Sequence, residues 1–110
     1  DKYGSGGSYR DYTYISDIVD GIINIIQSNK KLKPIYNLGN SKPYTLNEFI
    51  KICEKISNKK AVYNNLETQK GDVPHTYADI SLAKEDFNYN PKISLETGLK
   101  LTYDWLTISL

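Results

Sequence analysis

The 110-residue sequence has no methionine, one cysteine, one histidine and one arginine, and it lacks any long apolar run. Each shortage closes off a class of protein. No window approaches the roughly 18 consecutive apolar residues of a membrane span, and the first residues do not read as a basic-then-apolar signal peptide. With Cys53 alone there is no internal disulfide framework and no multi-cysteine zinc site. With His75 alone a conventional His/Cys metal site is not expected. A reducing, cytoplasmic compartment is the expectation for such cysteine usage. Fourteen basic residues stand against thirteen acidic ones, for a net charge of +1, and no basic block is present. That balance argues against nucleic-acid or anionic-membrane binding driven by bulk charge, and the aromatic residues form no stacking platform. A chain that starts at Asp1 and contains no Met is expected to be a piece of a longer translation product.

What is present is patterned. The abundance of Asn, Ile, Lys and Tyr is what AT-rich coding produces, and it makes lysine the default cation. Against that background Arg10 stands out. A planar guanidinium grips a phosphate or carboxylate in a way that a lysine point charge does not. A single arginine can also persist by chance.

Residues 1–9 are Gly- and Ser-rich and read as a loop or the end of an element. Alternation in RDYTYI predicts a strand over 10–15. A helix is expected over 17–28, with Ser16 as N-cap, Asp17 in the first turn and Ile18, Ile22, Ile25 and Ile26 on one face. The isoleucines cover more than one helical stripe, so part of that surface is expected to pack on something absent here. Pro34–Leu38 reads as a brief strand ending at Gly39-Asn40-Ser41. Thr45 and Glu48 form a capping box ahead of Leu46, Phe49, Ile50, Cys53 and Ile56. A third strand is expected at Ala61–Tyr63, and Thr68–His75 is a turn-rich loop around Gly71-Asp72. Ser81 is read as the cap of a short helix through about Asn88, with Asn90-Pro91 ending it. Ser94 opens the last helix, with Leu95, Leu99, Tyr103 and Leu106 on its buried stripe. The order is β-α-β-α-β-loop-α-α, an α/β pattern without repeats.

Two polar groups of residues offer binding chemistry. Arg10 beside Tyr12 presents a fork for a phosphate next to an amphipathic ring. In Gln69-Lys70-Gly71-Asp72, the glycine lets backbone approach a ligand and the aspartate can accept hydrogen bonds from sugar hydroxyls. Together they suit a diphosphate-linked sugar or nucleotide; singly, each reads as well as a surface ion pair or a turn. Elsewhere the chemistry is bland. His75 has no nucleophile at a recognisable spacing, Cys53 lies on the apolar face of its helix, and Asp17 and Asp20 are explained by helix N-terminal charge. Gly4–Gly7 precedes a strand, whereas a phosphate-cradling loop opens a helix.

RDYTYISDIVDGI (10–22), YNLGNSKPYTLNEFI (36–50), GDVPHTYADISLAK (71–84) and YNPKISLETGLK (89–100) together resemble the C-terminal portion of NAD-dependent nucleotide-sugar epimerases and dehydratases. These enzymes form the extended short-chain dehydrogenase/reductase group, and the likeness is greatest to its UDP-glucuronate 4-epimerase branch. The resemblance covers essentially the whole chain. It implies an α/β substrate-binding portion, residues 1–110, with few short strands and about four helices, the Rossmann core lying outside it. It implies that Arg10 binds the nucleotide diphosphate with Tyr12 in the same wall. It further implies that Gln69, Lys70 and Asp72 belong to a loop closing over the nucleotide, Asp72 at the ribose. Some relatives carry arginine where this chain has Gln69.

No GxxGxxG loop and no Tyr-x-x-x-Lys pair occurs in the chain. By the resemblance, NAD and the catalytic tyrosine would therefore belong to an upstream part of a parent enzyme, a homodimer acting on a UDP-sugar. No catalytic or metal-binding residue is expected within these 110 residues, and the segment alone is expected to be inactive. The alternatives are a dehydratase or decarboxylase of the same group, or a non-catalytic nucleotide-sugar-binding module.

Overall fold

Residues 1–67 and 75–109 are described by the structure, a computed structural model. In chain order they form β1 (Lys2–Tyr3), β2 (Tyr9–Arg10), α1 (Ile15–Gln27), β3 (Tyr44–Thr45), α2 (Leu46–Ser57), β4 (Asn65–Leu66), α3 (Ser81–Phe87) and α4 (Leu95–Ser109). This is the expected α/β class, with four helices and a few very short strands among the described residues.

Local chemistry sets several helix ends. The Thr45 hydroxyl accepts the Glu48 N–H at 3.1 Å, and the Glu48 carboxylate accepts the Thr45 N–H at 2.9 Å, so the capping box of α2 is complete. Ser94 caps α4 through the Thr97 N–H at 3.1 Å. Two expected caps are corrected. Helix α1 begins at Ile15 with Tyr14 as a cap that makes no side-chain bond, so Ser16 is already helical. At α3 the cap position is Ile80, which makes no side-chain bond, so Ser81 is already helical, and its N–H donates to the Asp79 carboxylate at 3.1 Å. That helix closes at Asn88, as expected, with φ 56°, because asparagine tolerates the left-handed conformation that ends a helix.

The strands depart further from expectation. Strand β2 pairs antiparallel with β3, Tyr9 opposite Thr45 and Arg10 opposite Tyr44. The expected strand over 10–15 stops at Arg10, and beyond it the Asp11 carboxylate, not a backbone ladder, takes the N–H groups of Asn40 and Ser41. Pro34–Leu38 keeps strand-like alternation, with Tyr36 and Leu38 packed on the core and Ile35 and Asn37 exposed. It pairs with no strand among the described residues. The third strand lies at Asn65–Leu66, not Ala61–Tyr63, because its partner β1 meets it there in parallel, Lys2 opposite Asn65 and Tyr3 opposite Leu66. β1 itself falls in the stretch read as a loop or the end of an element.

The apolar core is small. Ile80, Ala83, Phe87 and Tyr89 are buried around α3, with Ile25, Tyr36, Leu38 and Ala78 packed against them. Helices α2 and α4 pack on one another, and Leu95 is buried at the start of α4. The expected stripe fades along α4: Leu99 and Tyr103 are half-buried, while Leu106 is 45% exposed. On α1 only Ile25 reaches the core; Ile22 and Ile26 are 46% and 75% exposed. The radius of gyration is 16.5 Å, against about 13 Å for a compact domain of about 100 residues. The chain is therefore an open assembly of helices over two small ladders.

Candidate functional site

The polar framework of the molecule converges on β2. Its residue Arg10 is half-buried, and its guanidinium donates to the Tyr9 carbonyl at 2.8 Å. On one side β2 is laddered to β3. On the other side the Thr76 N–H donates to the Tyr9 carbonyl at 3.1 Å, and His75 stacks on the Tyr9 ring with centroids 3.9 Å apart at 15°. The stretch that follows residues 68–74 is thus fixed beside Arg10. The stretch that precedes them is fixed by the β1–β4 ladder. Gln69, Lys70 and Asp72 lie outside the described residues.

Tyr12 turns away from this edge. Its ring stacks on Phe49 with centroids 4.6 Å apart, and it lines a cavity of about 190 Å³ between α2 and α4 with Leu95, Gly98, Leu99 and Thr102. Burial pushes the Tyr12 phenol above its ordinary value, and the Arg10 charge opposes that shift. The cavity is mostly apolar and smaller than the roughly 300–1,000 Å³ usual for a small-molecule pocket. Alternation placed Tyr12 beside Arg10; with the strand ending at Arg10, the alternation does not carry through. Cys53 is half-buried on α2, where burial raises its thiol pKa, so it is poorly disposed to act as a thiolate.

Sequence reasoning missed the residue that organises the edge. Asp11 Oδ1 accepts the Asn40 N–H at 3.0 Å, and its Oδ2 accepts the Ser41 N–H at 2.8 Å and the Ala78 N–H at 3.1 Å. The Thr13 hydroxyl donates to Oδ1 at 3.3 Å. Gly39 makes this packing possible, since a Cβ there would lie 2.7 Å from both Asp11 Oδ2 and the Ala78 methyl. The Tyr89 hydroxyl donates to the Gly39 carbonyl at 2.7 Å from the core side. Asp17 also proves more than a helix-end charge. It is 2% exposed, and it accepts the Lys92 and Ile93 N–H groups at 2.9 and 3.1 Å, tying the approach to α4 onto α1.

The glycine-rich stretch does not fit a dinucleotide phosphate. Its carbonyls, not its amides, meet the helix it approaches: Ser8 O accepts the Leu46 N–H and Gly6 O the Asn47 N–H, both at 3.0 Å. Gly6 sits at φ +82°, and a side chain there would collide with that of Asn47. The first amides of α2 are therefore already occupied. Among the described residues no group of three or more His, Cys, Asp or Glu side chains is placed to hold a metal. Nor is any helix among them long and apolar enough to cross a membrane.

Residues 2–102 match the family model described as GDP-mannose 4,6 dehydratase. A UDP-glucuronate 4-epimerase of Thermodesulfobacterium geofontis is 44% identical over 108 residues, covering 94% of this chain and 32% of the relative. An uncharacterized protein of Methanocaldococcus jannaschii is 48% identical over 103 residues, covering 94% and 31%. Among solved structures, UDP-glucuronic acid 4-epimerase from Bacillus cereus, in complex with UDP-glucuronic acid and NAD, superposes with a TM-score of 0.92 at 33% identity. That match covers 99% of this chain and 35% of the other. The chain spans about a third of the length of the relatives it matches.

Proposed function

From the premise that the chain belongs to the GDP-mannose 4,6-dehydratase family, we propose that it is the C-terminal nucleotide-sugar-binding region of an NAD-dependent epimerase. UDP-glucuronate is the preferred substrate in this reading, because relatives of that activity align over nearly the whole chain. The observation that carries the proposal is the placement of Arg10, on a strand braced by β3 on one side and by residues 75–76 on the other. Arg10 is assigned to the diphosphate and Asp72 to the ribose. Gln69 and Lys70 contribute to a loop, 69–76, that covers the nucleotide. Tyr12 supports the wall from behind through Phe49.

The contribution of this chain is positioning. Binding energy from the nucleotide, remote from the reacting carbon, holds the sugar in place for chemistry done elsewhere. The sequence contains no GxxGxxG loop and no Tyr-x-x-x-Lys pair, so the cofactor and the catalytic groups are assigned to the remainder of a longer enzyme, a cytoplasmic homodimer. The 110 residues alone would then be inactive. Two features support a missing remainder: the alternating Pro34–Leu38 stretch without a ladder partner among the described residues, and the exposed isoleucines of α1. A 4,6-dehydratase is the second reading, favoured by the description of the matching family model. NMR analysis of the product would separate the two.

Calorimetric titration of the longer protein with UDP tests the assignment. Arg10→Ala removes a charge-assisted contact of about 1.5–3 kcal/mol, so UDP should bind about 10- to 100-fold more weakly. Unchanged affinity would take Arg10 out of the site.

A further inference from the structure

Strand β2 is too short to hold Arg10 by backbone pairing alone. Its ladder with β3 ends where Asp11 would face Pro43, and on the other side the backbone bond to residues 75–78 is the one from Thr76 to Tyr9. From Asp11 onward the carboxylate takes over on both sides. Oδ1 and Oδ2 hold Asn40 and Ser41 beyond the end of the antiparallel ladder. Oδ2 also holds Ala78, two residues beyond the Thr76 bond. The 41–44 turn is therefore closed at both ends by adjacent residues, Arg10 opposite Tyr44 and Asp11 on Ser41.

We infer that Asp11 is a positioning residue for nucleotide-sugar binding. Its carboxylate fixes the Arg10 strand relative to the 39–41 turn and to Ala78, shortly after the end of the proposed covering loop. The inference rests on the Arg10 reading given above. Four donors meet two carboxylate oxygens, three of them backbone amides that no side-chain movement can redirect. An amide in place of the carboxylate puts an NH2 against at least one of those N–H groups, whichever way it is turned. The strand must then shift from one neighbour or the other. Asp11 has no assigned contact with the sugar, so the chemical step should be spared.

Steady-state kinetics on the longer protein with UDP-glucuronate test this, with Arg10→Ala as reference. Asp11→Asn should raise KM about tenfold and leave kcat within about a factor of three, the split expected when ground-state and transition-state binding are lost together. Asp11→Glu keeps the charge and acceptors that folding needs but lengthens the brace; it should show the same split if Asp11→Asn does not fold. If Arg10→Ala raises KM while the folded Asp11 variants merely melt earlier with unchanged KM, Asp11 serves the fold alone and the inference fails. A loss confined to kcat would overturn it equally. If Arg10→Ala itself leaves KM unchanged, the failure lies in the Arg10 reading.

Discussion

Helix α1 carries apolar side chains on two sides, and only one of them is used. Asp17, Gly21 and Ile25 face the rest of the chain, whereas Ile15, Val19, Ile22, Ile23 and Ile26 are between 42% and 75% exposed. Their exposed fractions amount to roughly three whole side chains, which at 1.5–3 kcal/mol each gives about 4–8 kcal/mol gained if that face is covered. A gain of that size is comparable to the net stability of a domain. The isolated 110 residues should therefore self-associate or stay molten, with strong binding of the dye ANS. Replacing Ile22 and Ile26 by lysine should shift the isolated chain toward monomer in sedimentation velocity, and cations near the end of a helix suit its dipole. In the longer protein the same pair should lower stability by about 2–4 kcal/mol in urea titration, with further cost from burying the charges. A soluble, cooperatively unfolding, ANS-silent monomer from the unaltered 110 residues would refute the reasoning. So would a longer protein indifferent to both lysines.

Asp17→Asn should destabilise the same protein by about 1.5–3 kcal/mol, since one of the Lys92 and Ile93 amides loses its carboxylate oxygen; a urea midpoint unchanged within error would exclude that brace. Asp86 is held below the usual carboxylate value by the Tyr36 hydroxyl at 2.6 Å and by the Lys33 ammonium at 3.0 Å. A depressed folded-state pKa stabilises above the unfolded value of about 4 and loses that contribution as pH falls through the folded one. Thermal melting of wild type should thus exceed that of Asp86→Asn at pH 7, the two curves converging below about pH 4; parallel curves would argue against it.

What could be read in advance was what depends on near neighbours. The Thr45–Glu48 box spans three residues and appeared where expected, as did the Ser94 cap. The strands lie elsewhere than expected because a two-residue ladder is decided by its partner: Tyr44–Thr45 pairs with Tyr9–Arg10 alone, and Lys2–Tyr3 selects 65–66 over 61–63. Tyr12 stacks on Phe49, a partner on α2 that no strand pattern announces. Asp11 carried no local signal at all, since its backbone donors lie 29, 30 and 67 residues away. Of the expected site residues, Arg10 lies at the braced edge, Tyr12 packs behind it, and Gln69, Lys70 and Asp72 fall outside the described residues.

The long-range order of this chain rests to an unusual degree on carboxylates. Asp11 closes β2 onto the 39–41 turn and residue 78, Asp17 closes α1 onto residues 92–93, and Asp86 closes α3 onto Lys33 and Tyr36. Asp11 and Asp17 do for irregular backbone what a sheet ladder does for strands, while Asp86 takes side-chain donors, and each accepts from donors at least 29 positions away. The apolar cluster sits around α3 and does not include Arg10 or its ladder. The Arg10 edge is thus held mainly by directional bonds, which fix an angle and a distance more sharply than apolar contact does. That distribution suits an edge whose proposed task is to present one guanidinium at a set position. It also places the sensitivity of binding in backbone-to-carboxylate contacts that leave no mark on hydrophobic periodicity.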